Sequence, residues 1–446
     1  MFINFSDIPG HQNLFLDYLY EFDNVRRFYP KDFRDSKNYF EHFAKLEKRE
    51  KPHLASLKQI ISKQYNDFNP GPKTIDNINS LVLNNTFAIV TGQQLGIFGG
   101  PLYTFYKIIT AIELAHLFNE KYDSYHFVPV FWLEGDDHDF DEVRSFNLLD
   151  ENNEIVKISY DDGITEEINR GSVGNISFNG NINNVTEQLT KILRDNEFKP
   201  KIMEMLSGYY KEGTTFKESF KKLIFDLFDE YGLIIFDPSD ANIKSILKPI
   251  FIKEIEEQKE HSTELVKISA ELEEVYHAQV KVRPINLFMS EDDGRYLIEP
   301  VENEFRLRGK RKRLSKETIF EQIENTPEKF SPNVLLRPVC QDYIFKTACY
   351  IGGPSEISYF AQVIPLYKYF NVDVPIIYPR SSVTIVEKNI QKILEKFNLN
   401  YTDFISENET IAETVINNLA EIDLAESFRK ATYDVNLIID ELREKL

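Results

Sequence analysis

Cysteine is nearly missing. Cys340 and Cys349 are the two thiols in 446 residues, with eight residues between them and no CxxC spacing. Within one chain that excludes a disulfide framework and a four-thiolate zinc site. Both thiols read as reduced packing residues, since a nucleophilic role would need a partnering base. Positive charge is also short: 52 Lys and Arg face 72 Asp and Glu, a formal net charge of −20. Such a balance works against general affinity for nucleic acid or for an anionic membrane surface. No run of about 18 apolar residues suggests a membrane span. The opening MFINFSDIPGHQN has neither the basic start nor the apolar stretch of a secretory signal. A cytoplasmic location is the expectation. Repeats and low-complexity tracts are missing as well.

What is present suits a folded α/β protein. Hydrophobic residues make up 42% and charged residues 28%, and the length exceeds what one core comfortably fills, so at least two packed units are expected. Residues 1–80 read as a helical segment, with apolar positions recurring at three- and four-residue steps in NLFLDYLYEF and LASLKQIISKQY. FAIVTG then reads as a strand buried on both faces, LYTFYKIITAIELAHLF as a helix opened by Pro101, and HFVPVFWLEG as a second buried strand. This β-α-β unit predicts a parallel sheet.

Residues 81–390 are therefore read as a Rossmann-like core with insertions at about 146–230 and 240–335. Turn-rich residues 146–180 suggest β-hairpins, and GLIIFDP suggests another buried strand. The segment 240–277 reads as one long helix kinked at Pro249. Residues around YIGGPSEISYFAQ read as helices broken at the double glycine, with VPIIYPRSS as a last strand. From 391 to 446 the reading is helical, with Ile411, Val415, Leu419, Ile422, Phe428, Val435, Ile438 and Leu442 forming an apolar stripe. Periodicity leaves open whether that stripe packs on its own chain or on a second subunit.

Four motifs could carry chemistry. TGQQLGIFGGP lies between a strand and a helix, where a helix N-terminus favours an anion. It is neither a GxGxxG fingerprint nor a P-loop, and a tight turn needing Gly99 and Gly100 explains the glycines equally well. EGDDHDFDE, Glu134 to Glu142, follows a strand at its carboxyl end, where open α/β sheets place ligands. Asp137, His138 and Asp139 are its candidate catalytic groups, as acid, base or holder of an ammonium. No HExxH or second His at ligand spacing accompanies them, so no metal site is expected. YIGGPSEISYFAQ brings Gly353, Glu356 and Tyr359 near Gln341 and Asp342. YPRSS adds Arg380, suited to carboxylate or phosphate. RLRGKRKR, Arg306 to Arg313, is the one strong basic run and reads as a solvated face.

The ordered blocks VTGQQLGIFGGPLYTFYK, VPVFWLEGDDHDFDE, YHAQVKVRPINLF, SPNVLLRPVCQDYIFKTACYIGGPSEISYFAQ and IIYPRSS resemble the bacillithiol biosynthesis cysteine-adding enzyme family. The resemblance implies a Rossmann-like core similar to class I aminoacyl-tRNA synthetases, with inserted connecting segments and a C-terminal coiled coil that makes a homodimer. Family members continue beyond the final helix here, so 391–446 is read as a coiled-coil region, truncated or short.

The implied reaction joins the carboxyl of cysteine to the amine of glucosaminyl-malate. ATP with Mg²⁺ would activate cysteine as its adenylate, and the amine would then displace AMP. On that reading Gln93, Gln94, Gly99, Gly100, Tyr103, Gln341, Asp342, Gly353, Glu356, Tyr359 and Arg380 bind substrate or nucleotide, while Asp137, His138 and Asp139 serve the attacking amine. The His-x-Gly-His and Lys-Met-Ser-Lys-Ser signatures of class I adenylating enzymes are lacking; GGPLY and PRSS stand at comparable places. Two other readings compete: a nucleotide-binding scaffold without turnover, and a metal-assisted hydrolase built on the DDHD cluster.

Overall fold

A computed structural model describes residues 2–164, 168–405, 411–412, 414–416 and 424–444. The chain divides into two units, Met1–Tyr20 with Val383–Leu446, and Glu21–Ser382. The larger unit carries strands β1 (Thr86–Gln94), β2 (His126–Glu134), β3 (Ser145–Leu149), β4 (Ile155–Ser159), β5 (Ile234–Phe236) and β6 (Leu287–Glu291). It continues with β7 (Gly294–Val301), β8 (Glu304–Leu307), β9 (Arg313–Leu314), β10 (Phe330–Pro332), β11 (Thr347–Gly352) and β12 (Ile376–Pro379).

Five of these strands form a parallel sheet in the order β12-β11-β1-β2-β5. Phe87, Ala88, Ile89 and Val90 of β1 are all buried, as are Phe127, Val128, Val130 and Phe131 of β2. The apolar runs are continuous because helices cover both faces of a parallel sheet. The Leu102–Lys121 helix joins β1 to β2 and turns Ile108, Ala111, Leu114, Ala115 and Phe118 inward. Phe43 anchors an aromatic layer, with its ring 5.0 Å from Phe127, 5.3 Å from Tyr122 and 5.9 Å from Phe118.

Two registers fix the sheet's carboxyl edge. β1 and β2 pair from Thr86 with His126 to Gln94 with Glu134 without a slip, so both strands end side by side. β11 pairs with β12 until Gly352 meets Pro379, and the Arg380 N–H donates to Gly352 O at 2.8 Å. The chain leaves β1 towards β2 on one side, while β11 lies on the other, which makes the β1/β11 edge the switch point of the sheet.

Several expectations need correction. TACYIG, read as part of interrupted helices, is β11, next to the central strand; the helices are Arg337–Ile344 before it and Pro354–Phe370 after it. The Ala241–Glu256 helix runs on through Pro249, and the break falls at Glu257, before the Gln258–Glu273 helix. Of the hairpins expected over 146–180, the described residues form one, β3 with β4. Between β5 and β11 a second sheet forms in the order β10-β6-β7-β8-β9, all antiparallel.

In the smaller unit the Leu424–Glu444 helix exposes Phe428, Val435, Ile438 and Leu442. Leu419 and Ile422 of the expected stripe lie outside the described residues. Among the described residues no helix is long and apolar enough to cross a membrane.

Truncating Phe43 to alanine would leave a void inside the aromatic layer. The variant is expected to lose about 3–5 kcal/mol, read as a lowered denaturant midpoint by circular dichroism; an unchanged midpoint would show that the layer does not hold the sheet.

Candidate functional site at the carboxyl edge of the parallel sheet

The ends of β1, β2, β11 and β12 enclose a cleft of about 340 Å³. Its wall includes Gln93, Gln94, Tyr103, Gly353, Glu356, Tyr359 and Arg380, seven of the residues singled out in the sequence. Lys107, Trp132, Glu134 and Arg337 also line it. The Leu102–Lys121 and Pro354–Phe370 helices begin here, so two positive helix ends face one space.

Lys107 is the hub. Its Nζ lies 2.5 Å from Glu356 Oε2 and donates to Gly92 O at 2.8 Å and Gln93 Oε1 at 2.9 Å. Glu356 also accepts from the Gly353 N–H at 2.9 Å and from the Tyr350 hydroxyl at 2.5 Å. Burial lowers the Lys107 ammonium from its ordinary value, with Glu356 working against it. Burial alone would raise Glu356; Lys107, the Gly353 N–H and Tyr350 hold it below the usual carboxylate range. Glu356 is therefore a carboxylate at neutral pH, with the Lys107 Nζ against it.

Arg337 donates to the Tyr359 hydroxyl at 2.8 Å, the Tyr350 hydroxyl at 3.2 Å and Gln341 Oε1 at 3.3 Å. Glu134 accepts from Trp132 Nε1 at 3.0 Å and from the Asp136 N–H at 3.2 Å. Burial, reinforced by the neighbouring Asp136 charge, raises its carboxyl above the ordinary value. Arg380 Nη1 donates to Ser381 O at 2.8 Å, while its Nε is buried without a partner. Gln94 Nε2 is likewise buried and unpartnered. A buried donor left unpaired costs roughly 1–3 kcal/mol, so two such donors on one cleft favour a ligand that brings acceptor oxygens.

The other candidates lie elsewhere. Gly99, at φ 94°, sits where a Cβ would come 2.7 Å from the Phe105 ring. Its N–H donates to Gly96 O and to the Tyr210 hydroxyl, both at 3.2 Å, and the Gly100 N–H donates to Ile97 O at 3.1 Å. These donors hold the turn together, and the expected phosphate contact gives way to the tight-turn reading. Gln341 is buried behind Arg337 and donates to Asp342 Oδ1 at 2.9 Å; Asp342 also accepts from Thr347 Oγ1 at 2.6 Å and from the Tyr367 hydroxyl. Asp342 thus braces the fold from inside.

The acidic run spreads its charges over separate partners. Asp136 pairs with buried Lys244 at 2.5 Å, Asp141 pairs with Arg144 at 2.8 Å, and Asp139 caps the Phe140–Val143 turn by accepting from the Glu142 N–H at 3.1 Å. Asp137 lies 3.3 Å from His138 Nδ1. Burial opposes the Asp137 carboxylate, yet His138 and the Arg295 charge hold it below the usual range. Among the described residues no three His, Cys, Asp or Glu converge as a metal ion requires. His138 lines a neighbouring pocket rather than the cleft.

Sequence reasoning missed Lys107, Trp132 and Arg337. The available signal was a charge on a core-facing stripe: Lys107 falls between Thr104 and Ile108, both of which are buried.

An open parallel sheet with helices and a polar cleft at the strand ends defines a Rossmann-like α/β protein. The family model "Bacillithiol biosynthesis BshC, N-terminal Rossmann-like domain" matches residues 1–381. Relatives carrying the provisional name cysteine ligase BshC include those of Salinibacter ruber and Chloroherpeton thalassium. The first is 36% identical over 97% of this chain and 79% of its own. The second is 36% identical over 86% of this chain and 69% of its own. A third, from Chlorobaculum tepidum, is 35% identical over 87% of this chain and 69% of its own. The chain belongs to the BshC family of bacillithiol biosynthesis enzymes.

Replacing Lys107 by methionine would leave Glu356 without its counter-charge. A loss of about 3–5 kcal/mol is expected at neutral pH, measured by thermal unfolding. The loss should shrink as pH falls, because protonated Glu356 needs no cation, and adding Glu356→Gln should recover most of it. A penalty independent of pH would show that packing, not charge, is what Lys107 supplies.

Proposed function

We propose that the chain is a ligase that joins the carboxyl group of cysteine to the amine of glucosaminyl-malate, with ATP activating the carboxyl. The names of the BshC relatives support the cysteine ligase part. The observation that carries the reading to this cleft is the pair of buried, unpartnered donors, Arg380 Nε and Gln94 Nε2, beside two helix N-termini.

A carboxylate resists attack by an amine because its oxygen is a poor leaving group. In the proposed sequence a cysteine carboxylate oxygen attacks the α-phosphorus of ATP and pyrophosphate leaves. The acceptor amine, having lost a proton, then attacks the acyl carbon and AMP leaves. Mg²⁺ would arrive on the nucleotide phosphates. Arg380 and Gln94 take the anionic oxygens, and the Lys107–Glu356 pair keeps both helix ends aimed at them. Glu134, its carboxyl raised by burial and by Asp136, is the base we assign to the acceptor ammonium.

The same reading includes a class I synthetase-like origin for the core, a cytoplasmic setting and a homodimer through the helical region. Exposed Phe428, Val435, Ile438 and Leu442 support the dimer, since steps of seven, three and four make a coiled-coil seam. A non-catalytic scaffold or a metal hydrolase is not favoured, because the acidic run is spent on separate partners.

Purified chain incubated with ATP, Mg²⁺, cysteine and glucosaminyl-malate is expected to yield bacillithiol by mass spectrometry. Arg380→Ala should lower kcat about 10²-fold. Glu134→Gln should lower kcat with little change in KM, and the acid limb of the wild-type profile should lie above the ordinary carboxylate range. Wild-type rates from both variants would sink the assignment, as would folded protein that makes no product.

A further inference from the structure

We propose that the pocket next to the cleft is a binding site for a dianionic group, taken by the second substrate while the first occupies the cleft. The pocket, about 570 Å³, falls in the range of roughly 300–1,000 Å³ that holds small organic ligands. Lys281, Arg283, Arg295 and Arg308 line it together with His138 and Phe288, and no carboxylate does. In a chain with twenty more negative than positive residues, four cations around one hollow are not an average of the surface composition.

Arg295 makes this more than a charged patch. It is 5% exposed, its guanidinium carbon sits 3.8 Å over the Phe288 ring, and its Nε donates to Ser331 Oγ at 2.8 Å. Nη2 donates to Pro332 O at 3.3 Å, and Nη1 meets His138 Nδ1 at 3.2 Å. These contacts fix the fork, and none of the bonded partners is a carboxylate. Asp136, Asp137 and Glu134 act on its charge through space, and none of them bonds to the guanidinium among the described residues. A buried cation without a direct counter-ion is costly unless an anion joins it. Lys281 and Arg283 have no carboxylate partner among the described residues. Arg308 shares Glu299, at 3.7 Å, with Arg306. Cationic capacity is thus unspent on the pocket wall.

The pocket also adjoins the cleft. Val334 is exposed and lines both hollows, so a molecule with its reacting end in the cleft could lay an anionic end against Arg295. Two carboxylates of a malate-type acceptor and a nucleotide's phosphates share the required chemistry. Assigning the dianion to a substrate rests on the ligase reading; the anion site itself does not.

The test is calorimetric titration of the full chain with L-malate and, separately, with pyrophosphate, cysteine being left out. Lys281→Ala/Arg283→Ala, at exposed and half-buried positions, should weaken one of the two anions at least tenfold. Lys37→Ala, at an exposed cation that lines neither hollow, should leave that affinity unchanged. Loss confined to malate identifies a dicarboxylate site; loss confined to pyrophosphate identifies a phosphate site. The same affinity for both anions in the double variant would overturn the proposal, as would an equal loss through Lys37→Ala. Anion binding that depends on Lys281 and Arg283 in a protein that makes no bacillithiol would leave the pocket standing and remove the ligase reading. Product formed with an unchanged KM for glucosaminyl-malate and for ATP in the double variant would do the reverse.

Discussion

The buried Lys107–Glu356 pair is the constraint on which the site depends. Lys107 sits one and a half turns into the helix that follows β1, and Glu356 sits in the first turn of the helix that follows β11. Their contact ties together the two helices that start at the sheet's switch point, and the further bonds to Gly92 O and Gln93 Oε1 fasten β1 to the same point. Breaking a buried pair by removing one partner is far more costly than its net contribution suggests. The arrangement therefore specifies geometry more than it adds stability: the helix ends, Gln93 and the Gly352–Gly353 step can satisfy the two charges in few other ways.

Strand register does the rest. Nine unslipped pairs bring Gln94 opposite Glu134, which puts an amide donor and a carboxylate of raised pKa on one rim. The β11/β12 register delivers Arg380 to the opposite rim, with its Nε unpaired. A short strand bond, from the Arg380 N–H to Gly352 O, thus positions a side chain whose chemistry lies outside the sheet. Beyond Val334 the inserted antiparallel sheet contributes Phe288 and Arg295, so the insertion sets a second hollow beside the polar cleft.

Much of the core could be read from sequence because parallel strands are buried on both faces and leave uninterrupted apolar runs. FAIVT, FVPVFWL and the IIYP of the last strand carried that signal, and Pro101 marked the start of the helix between the first two. TACYIG did not stand out: it is six residues long, polar at its first position, and flanked by helices with the double glycine after it. Site residues were legible where they end a strand or directly follow one, as with Gln93, Gln94, Gly353 and Arg380. Gln341 and Asp342 were not, because helical neighbours point in different directions and only the packing decides which way each side chain turns. The EGDDHDFDE run looked like one cluster in sequence, but Asp136, Asp137, Asp139 and Asp141 point at Lys244, His138, the Phe140–Val143 turn and Arg144 in space. Lys107 hides inside an apolar helix, and its meaning comes from a partner 249 positions away.

The central claim is that chemistry takes place where β1, β2, β11 and β12 end. Hydrogen exchange read by mass spectrometry, with and without cysteine plus a non-hydrolysable ATP analogue, tests this most directly. Slowed exchange is expected in the peptides that hold Gly92–Gln94, Gly353–Glu356 and Arg380. Protection that spares all three segments while other parts of the chain respond would contradict the account.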